Sequence, residues 1–214
     1  MKIQSLAELT DLGRVRLSAN FFMRDMLASE VGNFYGVPNI PENPELAIEA
    51  GRNLCERVLE PLLNGVGHIT IRSAYRSPTL NDYCHRLYTQ GVKDAWCTCN
   101  EDNAGYHIWD RRDGEGRLGA TATVVIPAYI EYFERTGDWR SLGWWMRDHL
   151  DYYAYVQFFP KLCAFNIGWR EGELDQSIGY LDPPLRETLT RQGEPNFDGD
   201  HKAKYKHVSV LPCT

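Results

Sequence analysis

The residues best suited to chemistry lie in one short stretch, where a strand pattern from Ile69 to Ser73 gives way to a polar turn. The side chains there that could contact a ligand are Ser73, Tyr75, Arg76 and Asn81. Loops held by a rigid scaffold often carry binding and catalytic groups. Arg76 is the leading candidate, because a guanidinium presents a two-pronged donor that matches a carboxylate. The alternative is a structural role for Arg76, in which it forms an ion pair with Asp82 or another acidic residue.

A second group of chemically capable residues begins at His107. His107 and Asp110 are three positions apart, so on a helix they could share a metal ion. Further oxygen and nitrogen donors that could fold back toward them are Asp113, Glu115, His201 and His207. The alternative is that His107 is a hydrogen-bonded imidazole at the edge of a cleft, while His201 and His207 face solvent.

The stretch Ser73 to Asn81, Ser-Ala-Tyr-Arg-Ser-Pro-Thr-Leu-Asn, resembles an element of the zinc D-Ala-D-Ala carboxypeptidases, whose fold is shared with the Hedgehog signalling domain. In that family the element reads Ser-Gly-Tyr-Arg-Ser-Pro-x-x-Asn. The order of elements from Leu17 to Trp169 is similar as well. The resemblance implies hydrolysis of an amide or peptide bond by a zinc-bound water. It also implies that Arg76 holds the substrate and its developing negative charge.

The same resemblance assigns three positions to metal ligands. His107 aligns with the first histidine of the family's Ser-x-His-x-x-Gly-x-Ala-x-Asp element, and Thr123 replaces its aspartate. Asn166 replaces the third ligand, a histidine on a later strand. The residues between, around Trp109 and Asp113, form an insertion that could reshape substrate specificity.

These residues define the predicted site. Catalytic roles are expected for Arg76, Asp110 and Asp113, and His107 is the candidate ligand for zinc, the candidate cofactor. The expected substrate contacts are Ser73, Tyr75, Arg76, Asn81, Trp109, Thr123 and Asn166. Three functions remain open: a hydrolase acting on a small peptide or peptidoglycan-type substrate, a metal-free enzyme using the same cleft on an amino-acid-like molecule, and a non-catalytic peptide-binding module on a degenerate peptidase fold.

The composition of the chain limits the classes of partner that are expected to bind it. A net charge of -6 and a pI near 5.5 argue against nucleic-acid binding, which needs clustered basic residues. The start of the chain lacks a secretory signal and no apolar run is long enough to span a membrane, so a cytoplasmic protein with a small-molecule or peptide substrate is expected. Its six cysteines are expected to be thiols, and Cys97-Thr98-Cys99 lacks the spacing of a structural zinc site. Oligomeric state is left open.

The expected fold class is α+β, with a small antiparallel sheet and helices packed on one face, as in the Hedgehog and D,D-peptidase fold. The predicted strands are Ile69 to Ser73, Ala120 to Ile126, Tyr152 to Phe159 and Leu162 to Trp169. Asn43 and Pro44 predict the start of a long helix that extends to Leu63 and is disturbed by Pro61. Residues 1–170 form one peptidase-like domain, and the proline-rich segment 171–214 is predicted to be an irregular tail that wraps it.

Overall fold

The computed structural model describes residues 3–93 and 95–211 and confirms the α+β class. Its sheet has six strands in the order β1-β2-β4-β3-β5-β6. The strands are β1 (Thr70–Ser73), β2 (Gly119–Val125), β3 (Tyr155–Phe158), β4 (Phe165–Arg170), β5 (Ser177–Asp182) and β6 (Leu185–Thr190). The four predicted strands therefore exist, and the structure adds two.

The sheet is mixed, so the prediction of an antiparallel sheet is wrong at one pairing. β3 and β5 run parallel, whereas the other four neighbouring pairs are antiparallel. The parallel pair arises because the chain leaves β4 and crosses to the far side of β3 before it forms β5. No local pattern within a strand encodes which neighbour it will join.

The segment 171–214 contributes to the sheet. Its prolines and glycines predict loops, whereas the structure places β5 and β6 there. Two features explain the difference. Pro183 and Pro184 lie between the two strands, where proline removes no ladder hydrogen bond. Ile178 is fully buried and Tyr180 stacks on Trp139, so apolar contacts hold β5 against the domain.

The helices are α1 (Leu6–Gly13), α2 (Met23–Met26), α3 (Glu30–Tyr35), α4 (Pro44–Leu54), α5 (Glu60–Val66), α6 (Pro78–Thr89), α7 (Asn100–Asn103), α8 (Pro127–Thr136), α9 (Arg140–His149) and α10 (Lys202–Tyr205). The Asn43 side chain caps α4, and a π-helical turn over Cys55–Leu59 joins α4 to α5. Pro61 follows this turn. It has no N–H to donate, so a locally wider helix accommodates it. Among the described residues, no helix has both the length and the apolar character needed to cross a membrane.

The core lies on one face of the sheet. The predicted apolar positions of the long helix, Ala47, Ala50, Leu54, Val58 and Leu62, are all fully buried. They meet alternate residues of the central strands, such as Ala122, Ile167 and Val156. Because side chains alternate across a strand, the intervening residues face the other way. That second face carries the polar residues described below.

The C-terminal segment is tied to α9 by one carboxylate. Asp148 accepts hydrogen bonds from the backbone N–H of His201 at 2.8 Å and from the Tyr205 hydroxyl at 3.1 Å. The His201 ring lies 2.7 Å from the other Asp148 oxygen and stacks on Trp144. Only 10% of the Asp148 side chain is exposed, so these contacts replace water around the charge.

Asp148→Ala should therefore lower the free energy of unfolding by about 2–4 kcal/mol, because it leaves buried donors without an acceptor. Asp151→Ala is the matched control, since Asp151 is exposed and lies in the turn after the same helix. Its expected cost is within about 0.5 kcal/mol. Urea denaturation measures both changes, and equal costs for the two variants would contradict the anchoring role of Asp148.

Candidate functional site

A row of half-buried residues crosses the face of the sheet opposite the main core, called the open face below. Ser73 is paired with Thr123, Thr123 with Asn166, Asn166 with Gln157, and Gln157 with Gly179. Directly paired residues share a face, so these five positions form a straight line across five strands. The Thr123 hydroxyl donates to Asn166 Oδ1 at 2.7 Å, which joins two members of the row. Thr123 and Asn166, both expected substrate contacts, are thus neighbours.

His107 lies beside this row and is neutral. Its Nδ1 is 2.8 Å from the Ala74 carbonyl oxygen, so the proton is on Nδ1 and Nε2 is left as an acceptor. Only 8% of the residue is exposed. Burial, followed by the nearby charge of Arg76, lowers the pKa of His107 to about 3, although contacts with Ala74 and Asn166 oppose the shift. His107 and Asn166 therefore lie within reach of each other, as the resemblance implies for ligand positions.

Arg76 is bound to the same segment through its backbone. Its N–H donates to the carbonyl of His107 at 2.8 Å. Its guanidinium Nη1 lies 3.3 Å from Asn81 Oδ1 and 3.0 Å from Cys97 Sγ. The alternative of an ion pair with Asp82 is not realised, because Asp82 pairs with Arg86 at 3.4 Å. Within the described ranges, no carboxylate pairs with Arg76, a half-buried cation whose side-chain partners are an amide oxygen and a sulfur.

Asn81 lies behind Arg76 and is fully buried. Its amide nitrogen donates to the Thr98 carbonyl at 3.1 Å and to Asn100 Oδ1 at 2.8 Å. Its oxygen accepts from the Arg76 guanidinium and from Asn103 Nδ2. Asn81 therefore positions Arg76 and the loop after α6. It has no exposed surface with which to contact a substrate.

Tyr75 and Trp109 are packing residues. They are 1% and 0% exposed, and their rings meet edge to face with centroids 6.0 Å apart. Trp109 Nε1 donates to the Thr121 carbonyl at 3.2 Å, which ties the insertion to β2. The structure places both rings beneath the surface of the site. Of the four candidate contacts in the stretch Ser73 to Asn81, Ser73 and Arg76 remain partly exposed.

Asp110 and Asp113 have structural partners of their own. Asp110 accepts hydrogen bonds from the backbone N–H groups of Glu42, at 2.7 Å, and Asn43, at 3.2 Å, just before α4. Burial raises the pKa of Asp110, and these bonds oppose the shift. Asp113 accepts from Arg117 Nε at 2.9 Å and closes a tight turn. Neither carboxylate contacts Arg76 or His107 among the described residues.

The residues at the three aligned positions do not fit zinc. Structural and catalytic zinc sites need at least three ligands from Cys, His, Asp or Glu, and Thr123 and Asn166 belong to none of these types. Their hydroxyl and carbonyl groups are already bonded to each other, and the charge of Arg76 disfavours a second cation nearby. Within residues 3–93 and 95–211, no three His, Cys, Asp or Glu side chains are grouped so that they could hold a metal ion. His201 and His207 bind Asp148 and contact Tyr132, respectively, at other sites.

Two residues of the site had no place in the sequence-based prediction. Gln157 completes the polar row, and the alternation within the predicted strand Tyr152 to Phe159 could have identified it, since Val156 and Phe158 are buried. Cys97 contacts Arg76 from a loop that follows α6. That contact depends on the path of the loop, and no sequence pattern indicates it.

No family model, no curated protein and no solved structure matches this chain. The relationship to the zinc carboxypeptidases therefore stays a prediction, carried by the motif from Ser73 to Asn81.

The low pKa of His107 makes stability depend on pH. Between about pH 6.5 and pH 3 the unfolded chain binds a proton at this histidine that the folded protein does not, so the free energy of unfolding falls as pH falls. His107→Gln, which keeps a donor for Ala74, should reduce the loss between pH 7 and pH 4 by roughly 2–3 kcal/mol. Urea denaturation at both pH values measures it.

His68→Gln is the control for this experiment, because His68 is exposed. Its loss of stability between the two pH values should equal that of the unsubstituted protein. An identical acid response in His107→Gln would show that His107 is accessible to protons in the folded state.

Proposed function

We propose that the protein binds the carboxylate end of a small peptide or amino-acid-like molecule on the open face of its sheet, through protein side chains rather than zinc. The observation that carries this proposal is the half-buried Arg76, whose guanidinium has no carboxylate partner among the described residues. A buried cation without a counter-ion is costly, and a ligand carboxylate removes that cost.

The surroundings of Arg76 suit a polar, uncharged remainder of the ligand. His107 presents a neutral acceptor nitrogen, and the Thr123 hydroxyl and the Asn166 amide lie next to it. Amide side chains offer both a donor and an acceptor, which match the N–H and C=O of a peptide bond. None of these groups carries a charge that would repel or neutralise the carboxylate.

The length of the row sets the length of the ligand. Neighbouring strands are about 4.8 Å apart, so the row from Thr123 on β2 to Gly179 on β5 spans about 14 Å. An extended peptide covers about 3.4 Å per residue, so about four residues fit along it. The row ends at Gly179, where a Cβ would lie 2.6 Å from the Glu187 carbonyl oxygen, so β6 approaches too closely for a side chain.

Calorimetric titration with acetyl-trialanine, as the free acid and as the C-terminal amide, tests the role of Arg76. The acid should bind at least about tenfold more tightly than the amide, because a charge-assisted hydrogen bond to a guanidinium is worth about 1.5 kcal/mol or more. Arg76→Ala should abolish that difference. Arg186→Ala, which removes an exposed arginine from β6, is the control and should preserve it. Equal affinity for the acid and the amide would overturn the proposal.

The extended pose makes a separate prediction. Gln157→Ala should weaken the binding of acetyl-tetraalanine by about threefold to tenfold, the cost of one or two neutral hydrogen bonds. The binding of acetyl-alanine should not change. Gln90→Ala is the control, because Gln90 is exposed at the end of α6. Titration of both peptides with each variant gives the comparison. A Gln157 effect of the same size on both peptides would place the ligand elsewhere.

Amide hydrolysis is the second candidate function, favoured by the convergence of the three aligned positions at one place. His107 Nε2 is an acceptor beside the row, although its low pKa makes it a weak base at neutral pH. Mass spectrometry of the same peptides after incubation with the protein, with a chelator or with added zinc, tests this candidate. Intact peptides under every condition would leave binding as the function.

A further inference from the structure

Two thiols pack together behind Arg76, in a small apolar cluster apart from the main core. Cys84 lies on α6 and Cys97 lies in the loop that follows it. Both are free cysteines, and both are nearly buried, with exposed fractions of 4% and 8%. The proposed ligand contacts use neither of them. Cys97 nevertheless touches the site, since its sulfur is 3.0 Å from Arg76 Nη1.

Contacts from α6 hold Cys97 beside Cys84. His85 Nδ1 is 3.0 Å from the Cys97 carbonyl oxygen. The Asn81 amide donates to the next carbonyl, that of Thr98, at 3.1 Å. The loop is therefore fastened to the helix at the carbonyls of Cys97 and of the residue after it, and the two cysteines share one small buried cluster without a covalent bond.

The two thiols also have unequal proton affinities. The neighbouring Cys97 thiol lowers the pKa of Cys84, burial opposes the shift, and the charge of Arg76 adds to it. The same pairing, with burial, raises the pKa of Cys97. Cys84 is therefore the thiol of the pair that more readily becomes a thiolate, the reactive form of cysteine, while Cys97 more readily keeps its proton. By contrast, burial raises the pKa of Cys55 and of Cys163 in the main core.

We propose that Cys84 and Cys97 form a site of reversible oxidation, at which a small hydroperoxide converts the two thiols into an intramolecular disulfide. The Cys84 thiolate attacks one oxygen of the peroxide, the O–O bond breaks, and hydroxide or alkoxide leaves, so Cys84 becomes a sulfenic acid. The sulfur of Cys97 then attacks Cys84 Sγ and gives up its proton. The hydroxyl group of the sulfenic acid leaves with that proton as water.

The choice of a small oxidant follows from burial. With exposed fractions of only 4% and 8%, the sulfurs admit a molecule such as hydrogen peroxide more easily than a tripeptide disulfide. The reaction consumes one peroxide and two thiols and yields one disulfide and two molecules of water when the peroxide is hydrogen peroxide. A dithiol reductant reverses it.

Oxidation changes the charge next to Arg76. In the reduced protein the Cys84 thiolate and the Cys97 sulfur partly compensate the guanidinium. In the disulfide both sulfurs are neutral and carry no proton, so Arg76 is free to interact more strongly with a ligand anion. This consequence rests on the proposed function, and it makes the disulfide form the tighter binder, by about threefold to tenfold.

Mass spectrometry of the whole chain tests the oxidation itself. After treatment with a few equivalents of hydrogen peroxide at pH 7, the protein should lose two hydrogens, and proteolytic peptides should contain a Cys84–Cys97 cross-link that dithiothreitol removes. Cys99→Ser should behave identically, because Cys99 is two residues from Cys97 but outside the cluster. Two intact thiols, irreversible oxidation without a cross-link, or a cross-link that uses Cys99 would overturn the proposal.

The rate of alkylation by iodoacetamide provides an independent readout. The pH at which labelling of Cys84 reaches half its maximal rate should lie below that of an ordinary thiol, because the pKa of Cys84 is lowered. Arg76→Ala should move that midpoint upward, because it removes a charge that favours the thiolate, whereas Arg186→Ala should not. An unchanged midpoint in Arg76→Ala would show that the thiol pair is not coupled to the site.

Titration of acetyl-trialanine into the reduced and the oxidised protein separates the two proposals. Tighter binding by the oxidised protein supports both. If neither form binds the peptide but the cross-link forms, the proposed function fails and the oxidation site stands. If the peptide binds and no cross-link forms, the oxidation site fails and the proposed function stands.

Discussion

The site depends on a reciprocal pair of hydrogen bonds between the turn after β1 and the loop before β2. The His107 ring donates to the Ala74 carbonyl, and the Arg76 N–H donates to the His107 carbonyl. Together they hold a histidine and an arginine side by side at the edge of the sheet. The first bond selects the tautomer of His107, and burial, followed by the nearby charge of Arg76, lowers the pKa of its imidazole and keeps it neutral.

That constraint decides which chemistry the site can perform. A metal centre needs anionic or imidazole ligands around a cation, but here a guanidinium occupies the neighbourhood and the other aligned side chains are a hydroxyl and an amide. The same set is well suited to an anion with a polar neutral extension. The buried Asn81 is essential to this arrangement, because it holds the guanidinium from behind without neutralising it.

The sheet positions the remaining residues of the site. The strand registers align the five residues of the polar row, namely Ser73, Thr123, Asn166, Gln157 and Gly179. A shift of one residue in any of these strands would point that strand's residue toward the core. The large apolar side chains on the opposite face oppose such shifts. Packing of the core therefore maintains a polar track on the surface, and the thiol pair behind Arg76 connects that track to the redox state of its surroundings.

Sequence patterns alone predicted four of the six strands, the long helix and one candidate residue of the site. Apolar patterns were enough for the four strands β1 to β4, and the cap at Asn43 with its apolar periodicity was enough for the long helix. Both are short-range signals. The motif from Ser73 to Asn81 pointed to Arg76 as a candidate contact for a ligand, and that role stays a proposal.

The remaining features come from the tertiary fold. The parallel pairing of β5, the burial of Tyr75, Trp109 and Asp110, and the contact between Arg76 and Cys97 depend on how distant segments meet. A carboxylate such as Asp110 has the same appearance in the sequence whether it activates a substrate or caps backbone amides. Its partners, Glu42 and Asn43, are brought to it by the fold, because hydrogen bonds form between neighbours in space and the sequence lists neighbours along the chain.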